Sequence, residues 1–559
     1  MNQNPSTKTR LLIALWAAVL VLASVYLLVG QPVRGAREAW LEGDVDAAHA
    51  TLSRWSKLRL RPADYDTLLA AVLLERGDPA AAARLERLSN HEPQLFPLVR
   101  KEDVARRLVS IGRYQEFLQF DSVAKERFEG SDLALYRAAA QLGIGRIEEA
   151  DTTFRAIDAD DVETEKYETL RLALDQRKQG SHPLVLDRDG NTIGIWSMRN
   201  RDLVAVNRDF APLIESEGGR FTIESQLQSI GTSATLLTTL DPRFQKAAID
   251  ALGPYRASLV AIDLRTNRIL AVANSGGGEP VRNLAFEAAY EPGSVAKVLT
   301  GIVANELNLT ARQIPASCEG FVVIDGRQFF DWARHGRLVS LEEAMAVSCN
   351  VVFGNLGLEI GGEKLIAAFR AAGFDGTANL GLFDVPLGKT RGVPSSEFDL
   401  ANLAVGLEQE TMSALHIAMV AAAVANGGTL NTPRLLESRR SILGETLPSD
   451  PAPPAVRIGT PAAVRGIVPS LTAVVEDGRG TGRRAVVEGL PIAMKTGTAG
   501  DSAGGFDSVI LAFAPADAPR IAIGMIAENA GPAEFAGARI AHDFFTGVEP
   551  LIREGTAPR

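Results

Sequence analysis

Three short stretches of this chain place hydroxyl, amine and amide side chains at spacings that suit acyl transfer. Ser294 and Lys297 stand three residues apart at the head of an apolar run, Val298-Leu299-Thr300-Gly301-Ile302-Val303. On a helix that spacing puts both side chains on one face, one turn apart, and Pro292-Gly293 marks the helix entry. A serine hydroxyl is a poor nucleophile until a neighbour takes its proton, and an amine does so only when neutral. A lysine desolvated in a cleft has its pKa lowered toward that role. The pattern alone also fits a solvated surface pair.

The second stretch is Ser348-Cys349-Asn350, after the helix-like Leu341 to Val347. Its hydroxyl could relay a proton between Lys297 and a leaving amine, and its amide could hold a peptide backbone. A helix cap or turn would use the same residue types. The third is Lys495-Thr496-Gly497-Thr498, on a strand that follows Pro491-Ile492-Ala493-Met494. Gly497 would let another backbone lie close, while Lys495, Thr496 and Thr498 offer positive charge and hydroxyls to a carboxylate. Order and context raise the joint meaning: a helix start, a turn among helices, then a late strand beside a terminal hairpin.

These residues need a large frame. At 559 residues the chain exceeds one hydrophobic core, so about two to four domains are expected. With 46% hydrophobic and 23% charged residues the composition is that of folded protein. A net charge of -10 excludes nucleic acid as the main partner, because phosphate binding needs concentrated Lys and Arg. Cys318 and Cys349 are too few for a disulfide framework and lack metal-ligand spacing. Outside the cytosol they could form a single bridge; two buried free thiols are the expectation, with no metal and no organic cofactor.

The first ten residues carry Lys8 and Arg10 and no acid; Leu11 to Gly30 then runs without a charge. Twenty residues at about 1.5 Å rise span roughly 30 Å, a bilayer's hydrocarbon thickness. The basic tail (1–10) favours the cytoplasmic side, so 11–30 reads as a single-pass anchor with Gln31 onward outside the cytosol. From 33 to 179 apolar residues recur at helical spacing, and Gly43, Gly77, Gly112 and Gly145 return about every 34 residues. That period resembles the tetratricopeptide repeat family and implies stacked helix pairs that bind a protein partner. After the polar stretch Gln176 to His182 the texture changes to short strands, a linker or pedestal over 183–237. Strands at Ala257 to Asn274 and Val509 to Glu528, with helices between, predict an α+β domain over 238–546: an antiparallel sheet with helices on its faces. A tail, 547–559, follows.

From about Thr238 to Phe545 the chain resembles the transpeptidase domain of penicillin-binding proteins. The likeness rests on Glu291-Pro292-Gly293-Ser294, Ser348-Cys349-Asn350 and Lys495-Thr496-Gly497-Thr498-Ala499. Thr238-Thr239-Leu240-Asp241-Pro242, Asn426-Gly427-Gly428 and Gly480-Thr481-Gly482 add to it. The resemblance implies the transpeptidase/β-lactamase-like fold and a Ser294 nucleophile acting on the D-Ala-D-Ala end of peptidoglycan stem peptides. It implies Lys297 as base, Ser348 as proton relay, and Asn350 against the donor peptide. Lys495, Thr496 and Thr498 would bind the terminal carboxylate, and the N–H groups of Ser294 and Thr498 would form an oxyanion hole. β-Lactams would acylate the same serine. Departures are Gly406-Leu407-Glu408 for the usual Gly-Gln-Gly, Ser413-Ala414 for Thr-Pro, and Asp507-Ser508-Val509-Ile510 for an aromatic strand. A D,D-carboxypeptidase and a catalytically weak scaffold that recruits partners are the other readings.

Overall fold

The computed structural model describes Trp16 and residues 30–554, apart from 56–62, 93–96, 127–128, 228–231, 277–280, 288–289, 310–316, 408–409, 450 and 502–504. The expected anchor over 11–30 lies almost wholly outside these residues. Among the described residues no helix is long and apolar enough to cross a membrane.

The chain divides into two compact units. The first is helical and holds the residues up to His182, Ser233–Thr235 and, from far along the chain, Arg439–Pro448. Its helices include α1 (Val45–Trp55), α2 (Ala63–Arg76), α3 (Ala81–Ser89), α4 (Lys101–Ser110), α5 (Tyr114–Val123), α6 (Ser131–Gly143), α7 (Ile147–Arg155) and α8 (Thr164–Lys178). Successive helices pack as pairs, α2 on α3, α4 on α5 and α6 on α7. Gly77, Gly112 and Gly145 make the turns within those pairs with φ of 66°, 78° and 81°, a region side chains other than glycine rarely enter. The core holds Trp40, Leu52, Tyr65, Phe117, Phe120 and Tyr136, and also Ile442 and Leu443 of the late hairpin. The backbone N–H of Ile442 donates to Tyr114 Oη at 3.2 Å, and Lys166 pairs with Glu445 at 3.1 Å.

The second unit opens within the short strand β1 (Ser181–Leu186), which is followed by β2 (Thr192–Ser197), β3 (Asp202–Ala205) and β4 (Thr235–Thr238); β2 pairs with β3 antiparallel and β1 with β4 parallel. Asp241 then caps α9 (Pro242–Leu252) by accepting from the N–H of Arg243 at 2.9 Å. Strands β5 (Arg256–Asp263) and β6 (Arg268–Gly276) follow; a mainly helical region with the hairpin strands β7 (Phe321–Ile324) and β8 (Arg327–Phe330) comes next, and β9 (Ala493–Asp501), β10 (Gly505–Ala514) and β11 (Ile521–Glu528) come last. They form one antiparallel sheet in the order β9-β10-β11-β5-β6.

That sheet is covered on both faces, which explains why its strands read as nearly unbroken apolar runs. Val260, Ile262, Val509, Leu511 and Phe513 point into one core. Leu259, Ala261, Ile510, Ala512 and Ile523 point into the other, with Phe244 and Phe544 of the flanking helices α9 and Ala536–Glu554. On the first face Ala414–Ala425 packs against β11, and eleven of its residues are buried, the pattern of a helix apolar all round.

Candidate active site

The nucleophile candidate sits on a 3-10 turn, Gly293–Ala296, that runs into the helix α10 (Lys297–Glu306). The sequence put Ser294 at a helix start, and the opening turn is 3-10 where an α-helical one was expected. In a 3-10 turn residues three apart eclipse, so Ser294 and Lys297 stand more nearly in line than on an α-helix. This turn presses on β9 at the two glycines of the motifs. A Cβ at Gly293, whose φ is 50°, would lie 2.7 Å from the carbonyl oxygen of Thr498. A Cβ at Gly497 would lie 2.4 Å from that of Pro292. Any side chain at either position would push the nucleophile's turn off the strand.

Ser348 follows the short helix α11 (Leu341–Ala346) and precedes α12 (Asn350–Ile360). Its φ of 56° is the left-handed region, which costs a non-glycine residue about 1–2 kcal/mol. Such strain persists where the surroundings over-determine it, often at functional sites. Here the surroundings are two buried amines. Lys297 Nζ donates to Ser348 O at 2.6 Å and to Asn350 Oδ1 at 2.7 Å, and lies 3.3 Å from Ser348 Oγ. Lys495 Nζ donates to the same Oγ at 2.9 Å and to Thr496 O at 2.7 Å.

Both lysines are fully buried. Burial pushes the Lys297 amine down to about 8, against the pull of the Asp331 carboxylate. Burial, with the charge of Lys297, pushes Lys495 well below the usual amine range. A neutral amine has two N–H donors; the two short bonds of Lys297 use both and leave its lone pair free for a proton. Asp331 is the nearby anion. Burial alone would raise its carboxyl, but the hydrogen bond from His335 and the charge of Lys297 bring it down to about 2.

A cleft of about 380 Å³ opens over these groups, lined by Ser294, Ser348, Asn350, Thr496 and Thr498, with Trp332, Leu407, Thr481 and Phe506. Gly497 lies on the strand that forms its edge; Lys495 stands behind the lining. Seven of the eight residues selected from the sequence thus meet at or directly behind one cleft, and Gly497 supplies the close approach. Sequence reasoning missed two groups. Thr481 Oγ1 lies 2.7 Å from Thr496 Oγ1; its signal was the Gly480-Thr481-Gly482 stretch. Trp332 donates its indole N–H to Val347 O at 3.0 Å and is 56% exposed at the cleft mouth; nothing local in sequence marks it. Cys318 and Cys349 are buried and unbridged, but they are not isolated: both thiols face Asp331 Oδ2, at 3.4 and 2.9 Å.

Residues 257–547, a little over half of the chain, match the family described as penicillin binding protein transpeptidase domain. The peptidoglycan D,D-transpeptidase PbpA of Mycolicibacterium smegmatis is 29% identical over 336 residues, 53% of this chain and 67% of that protein. Among solved structures, the D,D-transpeptidase domain of a peptidoglycan glycosyltransferase from Eggerthella lenta superposes with a TM-score of 0.59 at 24% identity, covering 68% of this chain and all of that one. Penicillin-binding protein A of M. tuberculosis, in a penicillin G acyl-enzyme complex, superposes with a TM-score of 0.56 at 22% identity, covering 66% of this chain and 99% of that one. At these identities the superpositions speak for the fold.

Proposed function

The chain belongs to the penicillin-binding protein transpeptidase family, and from that premise we propose that it cross-links peptidoglycan as a serine D,D-transpeptidase. The observation that carries this reading is the Ser348 hydroxyl held between the Lys297 and Lys495 amines at the floor of the cleft that Ser294 lines.

Lys297, neutral, takes the proton of Ser294 as its oxygen attacks the carbonyl of the penultimate D-alanine. The backbone N–H groups of Ser294 and Thr498 receive the developing oxyanion; one such donor is worth about 10²–10³ in rate. Asn350 holds the donor peptide. The Thr496 and Thr498 hydroxyls bind the terminal carboxylate, backed by Lys495, whose protonated form that anion favours. The proton passes from Lys297 through Ser348 Oγ to the departing D-alanine amine, leaving an ester on Ser294. An amine from a neighbouring stem then attacks the ester and forms the cross-link. β-Lactams acylate the same serine.

A basic tail and a charge-free run of membrane-spanning length support an anchor at 11–30 and a catalytic unit outside the cytosol. The helix pairs with their recurring turn glycines support the tetratricopeptide-like reading and a protein partner. The test is cross-linking itself. The purified full chain, given uncross-linked glycan strands, is expected to produce stem-peptide dimers, read as muropeptides by mass spectrometry, and Ser294→Ala to produce none. Dimers formed equally by that variant would overturn the proposal.

A further inference from the structure

Beside the active site lies a cluster that the transpeptidase chemistry does not use. The loop from Cys318 to Gly336 is closed at its base by two backbone hydrogen bonds, Cys318 N–H to Gly336 O at 2.8 Å and Gly336 N–H to Cys318 O at 3.1 Å. Within it the strands Phe321–Ile324 and Arg327–Phe330 form a hairpin, and Asp331 N–H donates to Gly320 O at 2.8 Å. This closure brings Cys318, Asp331 and His335 together. Cys349 joins them from another element, at the start of α12.

The Sγ atoms of Cys318 and Cys349 and a carboxylate oxygen of Asp331 all lie within 4.8 Å of one another. His335 Nε2 is 3.2 Å from Asp331 Oδ1. The side chains are closed off from water: Cys318 is 1% exposed and Cys349 0%, and the side chains of Asp331 and His335 are 0% and 6% exposed. We propose that Cys318, Asp331, His335 and Cys349 form a structural zinc site that fastens the 318–336 loop to the Ser348-Cys349-Asn350 turn.

Several features favour this. Two sulfurs, an imidazole and a carboxylate are a donor set that suits Zn²⁺, and four protein ligands are what a structural site needs. Sulfurs about 2.3 Å from a tetrahedral ion stand about 3.8 Å apart, so the two Sγ atoms need close by no more than about 1 Å, while His335, whose Nε2 stands on the other carboxylate oxygen, must swing in to complete the set. Without an ion, Asp331 Oδ2, the oxygen that faces both sulfurs, depends on weak S–H donors and the Val351 N–H at 3.2 Å, while Oδ1 takes the Trp332 N–H at 2.9 Å and His335. The charge also balances. As the dication enters, the two thiol protons leave, so the formal charge of the cluster is unchanged and Lys297 keeps the same anionic neighbour. The ion never meets substrate. It acts by position: Asp331 precedes Trp332 of the cleft mouth, and Cys349 sits between Ser348 and Asn350.

The site is tested on the full chain purified without chelator. Metal analysis is expected to find about one zinc per chain. Stripping with dipicolinate is expected to lower the melting temperature, which Zn²⁺ restores and Mg²⁺ does not. Cobalt(II) added to the stripped wild-type chain is expected to give thiolate-to-metal charge-transfer bands, a readout independent of whether any variant folds. Cys349→Ala is expected to abolish the bands, and His335→Gln to weaken zinc binding at least tenfold. A stripped chain that keeps its melting temperature and gives no cobalt bands would overturn the proposal. So would a Cys318–Cys349 disulfide, seen as the absence of free thiols in denatured, unreduced protein.

Discussion

Lys495 Nζ donates to Ser348 Oγ at 2.9 Å across 147 residues of sequence. The hydroxyl therefore stands between two amines that burial drives toward neutrality. A hydroxyl is both donor and acceptor, so it can receive from one amine while giving to the other, and reverse when a proton arrives. In the proposed cycle a carboxylate entering the cleft would re-charge Lys495 and turn the hydroxyl's hydrogen toward the reaction. The positive φ of Ser348 is the conformational cost of holding it there.

Labelling with a fluorescent penicillin is expected to modify the wild-type chain once, at Ser294, and Ser294→Ala to remove the signal at unchanged melting temperature. A labelled peptide that maps elsewhere would remove Ser294 from the mechanism.

Acylation is expected to follow the neutral fraction of Lys297. The active form is the unprotonated amine, with a pKa of about 8. Well below that pH the rate falls about tenfold per unit as the proton goes on; above it the rate is level. Stopped-flow rates with a chromogenic cephalosporin check this. Lys297→Met should lose the limb and about 10²–10⁴ in rate. A wild-type profile flat between pH 6 and 9 would count against the amine as base.

Gly497→Ala tests the close approach of strand and turn. The added methyl carbon meets the Pro292 carbonyl at 2.4 Å, so backbone must shift. Because a displacement of about 1 Å at a reacting centre can cost 10²-fold, acylation should fall by that order while the chain still melts cooperatively. An unchanged acylation rate would show that the turn and strand are free to part.

Leu443→Ala probes the helical unit without touching the cleft. Leu443 is buried in that unit's core, and losing it should cost about 2–5 kcal/mol there. Calorimetry should show one transition moved to lower temperature, with the penicillin labelling rate unchanged. A slowed labelling rate would show that the late hairpin serves catalysis.

The cleft was legible because its residues fall in three contiguous motifs, each setting its own local structure, and because a run such as Val509 to Phe513 reads as a strand wherever it packs. The turn glycines were legible for the same reason: helix, glycine, helix is a local pattern. What sequence concealed depends on chain closure at a distance. Asp331 and His335 look like ordinary loop residues until two backbone bonds at Cys318 and Gly336 fold the loop back. The two cysteines, judged on spacing, pointed to lone buried thiols; their partner is a carboxylate that no spacing rule includes. Thr481 meets Thr496 across elements. The left-handed Ser348 could not be read from a serine, since strain is imposed by neighbours.

The inclusion of Arg439–Pro448 in the helical unit has a bearing on time. The ribosome adds about 5–20 residues per second, so the hairpin follows His182 by on the order of 10–50 s. Throughout that interval the slot for Ile442 and Leu443 is open, and Tyr114 waits for the N–H it will accept. The first unit to be synthesised is thus sealed only after much of the second has been made. Its completion reports that more than 250 residues of the other unit, Pro183 to Ser438 among them, have already been made.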